Sequence, residues 1–111
     1  MIHKALLFVC NILLFSSTLI AQSPVERRNR TVFNRIEYFI NTKQPDSVYT
    51  LASEEFKRSV DKQGFIDMIS NMANYGKISN TEPVTFANNI AGYNVLLGSS
   101  KTSIHLGVES N

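Results

Sequence analysis

Apolar positions recur along this chain in two rhythms, and the change between them divides it. Val32, Phe33, Ile36, Phe39 and Ile40 fall at helical spacing and line one side of a first helix. Ser23-Pro24-Val25-Glu26 supplies its start: serine caps, proline tolerates the first turn, and the glutamate three residues on reaches back. Asn41-Thr42-Lys43-Gln44-Pro45 ends it, because a residue before proline avoids helical geometry. Asp46 is read as the cap of a short second helix with Val48, Leu51 and Ala52 inward. Ser53 caps a further turn that carries Phe56 and Val60 inward. Asp61 opens the next helix, whose stripe is Phe65, Ile66, Ile69, Met72 and Ala73, before Tyr75-Gly76 closes it.

Beyond Gly76 the period falls to two. Val84-Thr85-Phe86 leads into the turn-like Asn88-Asn89. Tyr93, Val95 and Leu97 alternate, Gly98-Ser99-Ser100 turns the chain, and Thr102, Ile104, Leu106 and Val108 alternate again. Helices followed by an antiparallel meander predict an α+β domain, with helices on one face of a curved sheet. The third strand stops at Val108 and leaves an uncovered edge, so self-association through it is expected, or a chain cut short within its domain.

Ahead of this domain lies a different composition. Met1-Ile2-His3-Lys4 is a short basic head, residues 5–15 are apolar except for Asn11, and Ser16-Ser17-Thr18 leads to Leu19-Ile20-Ala21-Gln22. These are the three parts of a secretory signal peptide, residues 1–21, with cleavage expected between Ala21 and Gln22. The apolar run falls short of the roughly 20 residues that span a bilayer, so the membrane is met only during export. Residues 22–111 form the working domain, periplasmic or extracellular. Cys10, the single cysteine, falls in the leader, and bulky Val9 before it argues against lipid attachment. The exported part has no thiol for a disulfide, a thiolate zinc site or a cysteine nucleophile.

Of the 11 basic residues only Lys4 lies in the leader, and 9 acidic residues nearly balance the rest. That leaves no electrostatic footprint for nucleic acid. Arg27, Arg28, Arg30 and Arg35 cluster on the first helix, which is read as a solvated face.

Candidate chemistry is sparse. His105 is the one histidine after the leader and is out of phase with Ile104 and Leu106, so it belongs to the opposite face of its strand. As an acid or base it would need Asp67, Glu82 or Tyr93 within about 3 Å. One histidine and scattered carboxylates supply no metal site, and no cofactor motif is present. Glu54-Glu55 diverge on a helix start, where they suit the helix dipole. Phe33, Phe39, Phe56 and Phe65 are expected in the core. Tyr38, Tyr49 and Tyr93 are expected to place a ring inward and a hydroxyl in water, or to line a ligand pocket.

A wider pattern runs from Phe39-Ile40-Asn41-Thr42-Lys43-Gln44-Pro45-Asp46-Ser47-Val48-Tyr49 through Leu51-Ala52-Ser53-Glu54-Glu55-Phe56-Lys57, Phe65 and Gly76-Lys77-Ile78. It ends in the strand pair Tyr93-Asn94-Val95-Leu96-Leu97 and Ser103-Ile104-His105-Leu106-Gly107-Val108. This resembles the bacterial nuclear-transport-factor-2-like (cystatin-like) domains of unknown function that follow a signal peptide. In many relatives such a domain precedes a serine hydrolase of the β-lactamase and penicillin-binding-protein type. The resemblance implies a cone-shaped α+β fold, and a further strand after a polar turn that Glu109-Ser110-Asn111 would begin. It also implies an accessory role: binding a small ligand or a protein partner, which could be a hydrolase domain. No hydrolase residues carry over; Ser59-Val60-Asp61-Lys62 fits a serine-x-x-lysine motif in letters only. Three functions remain open at this point: a non-catalytic exported accessory domain, a small pocket enzyme of the same fold using His105, or a truncated part of a larger hydrolase.

Overall fold

A computed structural model describes residues 23–108. The leader, its junction at Ala21 and Gln22, and Glu109-Ser110-Asn111 lie outside the described residues. Four helices precede three strands: α1 (Pro24–Asn41), α2 (Pro45–Thr50), α3 (Glu54–Ser59), α4 (Lys62–Tyr75), β1 (Ile78–Ala87), β2 (Ile90–Leu97) and β3 (Ser100–Gly107). The strands form one antiparallel sheet in the order β1-β2-β3, so the fold is α+β as the change of period predicts.

Local chemistry sets the helix ends. Ser23 and Glu26 make the reciprocal capping box: the Glu26 N–H donates to Ser23 Oγ (3.1 Å) and the Ser23 N–H to Glu26 Oε1 (3.3 Å). The other end of α1 closes with the Gln44 N–H on Phe39 O (2.8 Å) and the Lys43 N–H on Ile40 O (3.1 Å). That is the Schellman pattern, with Lys43 at the left-handed position (φ 58°) where glycine is usual. Pro45 follows at once and occupies the first turn of α2. Asp46 is therefore a first-turn residue and not the cap; Gln44 holds the cap position without a side-chain bond. Ser53 caps α3 through the Phe56 N–H, and Asp61 caps α4 through the Gly64 N–H (2.8 Å).

The sheet starts earlier than the alternation suggests. β1 runs from Ile78, and residues 78–83 hide it because the pairing register shifts between Ser79 and Glu82 and again between Pro83 and Thr85. Asn80 takes a positive φ (51°) within the first irregularity, and each shift breaks the two-residue repeat by which strands are read. Pro83 is tolerated because β1 is an edge. Asn88 and Asn89, both at positive φ (55° and 62°), form the two-residue turn into β2. Gly98, at φ 64°, opens the two-residue turn into β3.

The core lies between the helices and one face of the sheet. Phe33 and Ile40 of α1, Val48 of α2, and Ile69 and Ala73 of α4 meet Ile78, Ala91, Tyr93 and Val95 of the strands. Phe39, Phe65, Ile104 and Leu106 pack around them. Phe56 departs from expectation: it is 39% exposed, its ring set edge-on against Phe65 at the domain margin. α3 is one short turn held by its own cap and has no buried residue, so its stripe has nothing to sink into. No helix among the described residues is long and apolar enough to cross a membrane.

Polar tethers bind α1 to the sheet. Asn41 grips both backbone groups of Ile78: its Nδ2 donates to Ile78 O (2.9 Å) and its Oδ1 accepts from the Ile78 N–H (2.7 Å). Thr81 Oγ1 donates to Glu37 Oε1 (2.6 Å) further along β1.

Candidate functional site

The two faces of the sheet present different chemistry. On the helix side the centre is Tyr93, 2% exposed, whose ring stacks on Phe33 at 4.0 Å between centroids. Its hydroxyl donates to Asn29 Oδ1 (2.6 Å), and Asn29 Nδ2 donates to Leu106 O (2.8 Å). Asn29 is fully buried, yet it lies one turn before Phe33 on the apolar side of α1. Its amide thus joins a β2 side chain to the β3 backbone, and both ends are satisfied. The expectation that the Tyr93 hydroxyl reaches water is corrected here: it ends on Asn29, inside the core.

Arg30 lies beside this pair, its guanidinium 5.5 Å from the Tyr93 ring centre. One of its nitrogens, Nη1, is buried without a hydrogen-bond partner, so the π-face of Tyr93 is its compensation. The remaining space between Glu26, Arg30, Thr85, Phe86 and Tyr93 is about 30 Å³. A void of that size admits about one or two water molecules, against roughly 300 Å³ or more for a ligand pocket.

Burial holds the Tyr93 hydroxyl above the usual tyrosine pKa, while the Arg30 cation pulls it the other way. Unfolded tyrosine ionises near pH 10 (about 10 in model peptides), so this group's contribution to stability is intact below that pH. It is lost as the pH rises through the higher folded value. Melting followed by circular dichroism should show Tm falling above about pH 10, less steeply in Tyr93→Phe. Equal slopes would mean that the hydroxyl is hydrated in solution.

The outer face is polar in its central rows and carries Ile90 and Leu96 at the two ends of β2. Thr85, Gly92 and His105 form one cross-strand row, and Glu82, Asn94 and Ser103 form the next. Ser103 Oγ donates to Asn94 Oδ1 (3.0 Å). Gly92 is buried because its neighbours fold over it: a Cβ there would lie 3.2 Å from His105 Nε2 and would collide with Thr85 Oγ1. An open dish of about 440 Å³ lies alongside, lined by Asn80, Glu82, Asn94, Leu96, Lys101 and Ser103. It offers donors, acceptors and one charge of each sign on a single surface.

His105 is exposed on this outer face, as its phase predicts. Tyr93 belongs to the other face, Asp67 accepts from Gln63 Nε2 (2.9 Å) on α4, and Glu82 lies in the neighbouring row. None of the three is hydrogen-bonded to His105. Tyr38, Tyr49 and Tyr93 do not converge either. Tyr38 is 60% exposed on α1, whereas Tyr49 on α2 is flanked by the ammonium groups of Lys57 (5.6 Å) and Lys62 (5.5 Å). Among the described residues no three His, Cys, Asp or Glu side chains gather as a metal site.

Two residues escaped the sequence reading. Asn29 carried a signal, a polar side chain on the apolar stripe one turn before Phe33. Gly92 carried none, because its neighbours across two strands are fixed only by register. Comparison of the chain with protein-family models, with curated proteins and with solved structures finds no match.

Proposed function

We propose that the chain is an exported, non-catalytic accessory domain of nuclear-transport-factor-2-like form that binds a protein partner through the outer face of its sheet. The observation that carries this reading is the contrast between the two faces. The helix side is filled by Phe33, Tyr93 and Asn29 beside a void of about 30 Å³, whereas the outer side is an open dish of about 440 Å³ that mixes polar side chains with the apolar surface of Val95 and Leu96. A shallow surface with mixed donors, acceptors and charges suits the polar part of a protein interface better than an enclosed small molecule. In many relatives of the resembling family a hydrolase domain follows, which makes such a domain the first partner to test.

The competing reading, a pocket enzyme with His105 as acid or base, lacks the partner group that would orient the imidazole. The purified protein should turn over neither nitrocefin nor p-nitrophenyl esters above the buffer rate, and His105→Ala should change nothing. Hydrolysis that disappears in His105→Ala would overturn the accessory reading. A photo-crosslinking residue at Asn94 should capture an envelope protein in the exporting cell, and one at Arg58 should not. Capture at Arg58 alone would put the binding surface elsewhere.

A further inference from the structure

The two edges of the sheet are treated differently by the rest of the molecule. β1 is interrupted twice, contains Pro83, and has its first residue gripped by Asn41 and its Thr81 held by Glu37. Such features keep an edge strand from pairing with another chain. β3 has no such interruption: its register with β2 is unbroken from Ser100 to Gly107 and it contains no proline, and its tether to α1, from Asn29 to Leu106 O, falls on a residue bonded towards β2.

The free hydrogen-bonding groups of β3 follow from its turn. With Leu97 and Ser100 closing a two-residue loop, bonded and non-bonded pairs alternate along the ladder. Ser100, Thr102, Ile104 and Leu106 therefore bond towards β2. Lys101, Ser103, His105 and Gly107 point their N–H and C=O groups outwards from the edge.

The geometry points to a two-fold dimer in which β3 pairs antiparallel with β3 of a second copy, joining the described strands of both copies into one continuous sheet. A register centred on Ile104 sets Ile104 against its own copy and Thr102 against Leu106, all on the helix-side face. Ser103 then bonds across to His105, and Lys101 stands opposite Gly107, so no like charges meet. An odd slip would turn the apolar residues to the wrong face. The occupant is a second copy because the edge complements itself: the same patch satisfies its own row of donors and acceptors under one rotation. Pairing by the edge leaves the outer dish open and sets two of them side by side, so it stands independently of the partner proposed above.

Sedimentation velocity on the chain as cells process it, over a wide concentration range, should show monomer and dimer in exchange. Ser103→Pro removes an outward N–H while leaving the backbone bonds to β2 in place, and should weaken association about tenfold or more beyond Ser103→Ala, which loses the same Oγ bond to Asn94. Ser103→Ala should leave it intact. Ile104→Cys in a Cys10→Ser background should form a disulfide-linked dimer, since non-bonded antiparallel pairs bring side chains closest, whereas His105→Cys should not. A monomer at every concentration, a dimer indifferent to Ser103→Pro, or slow amide exchange at Lys101 and His105 in the monomer would each overturn the proposal.

Discussion

Asn29→Ala is expected to destabilise the domain by about 2–4 kcal/mol, the sum of a core void and an orphaned buried hydroxyl. The substitution removes the acceptor of the buried Tyr93 hydroxyl and the donor to the part-buried Leu106 O. For a domain of this length total stability is of order 5–10 kcal/mol, so the loss is a large fraction of it. Urea unfolding followed by tyrosine fluorescence measures it directly. Adding Tyr93→Phe to Asn29→Ala should recover part of the loss, because the stranded hydroxyl goes with it. A single-variant loss under about 1 kcal/mol would mean that water replaces the amide, contrary to the burial described. The double variant also separates the hydrogen bond from packing, since Phe keeps the ring stacked on Phe33.

Gly98→Ala should cost a comparable amount, about 2–4 kcal/mol, for a different reason. Gly98 has φ 64°, a left-handed conformation that penalises any Cβ, and that Cβ would lie 2.6 Å from Tyr75 O. The obstacle is backbone, which cannot rotate away as a side chain can. Gly76 is the other half of the same contact: at φ 145°, its Cβ would lie 2.6 Å from Gly98 Cα. Here the end of α4 is laid directly against the β2–β3 turn, with the Gly98 N–H donating to Lys77 O (2.9 Å). Gly76→Ala combined with Gly98→Ala should cost less than the sum of the two, because either alone already separates the elements. Thermal unfolding of the three variants tests this, with Gly64→Ala as control. The nearest atom to a Cβ at Gly64 is Asp61 Oδ2 at 3.1 Å, part of a side chain that can yield.

Where local chemistry decides structure, the sequence was legible. The capping box at Ser23, the caps at Ser53 and Asp61, the Asn88-Asn89 and Gly98 turns, and the alternation of β2 and β3 all depend on neighbours within a few residues. What it concealed depends on contacts across the fold. Phe56 has the right phase to be buried, but α3 packs too little of itself inward to bury it. Tyr93 looks like an amphipathic strand residue until Asn29, far away on α1, meets its hydroxyl. The first half of β1 is hidden in the sequence because register shifts at Asn80 and after Pro83 spoil the alternation that announces a strand. The site followed the same division. The phase of His105 gave its face correctly, while the row it shares with Gly92 and Thr85 exists only through pairing.

The three polar tethers from α1 differ in the length of chain they enclose. Asn41 spans 37 residues to Ile78, Glu37 spans 44 to Thr81, and Asn29 spans 77 to Leu106. Ring-closure entropy grows only with the logarithm of length, so the widest ring costs about 0.6 kcal/mol more than the narrowest if each formed alone. Once Asn41 has clasped Ile78, the meander brings β3 back by short turns, and the later rings close almost without further entropic cost. With any one tether made, the rings closed by the other two are short, so α1 is held to the sheet along its length at little added entropic cost.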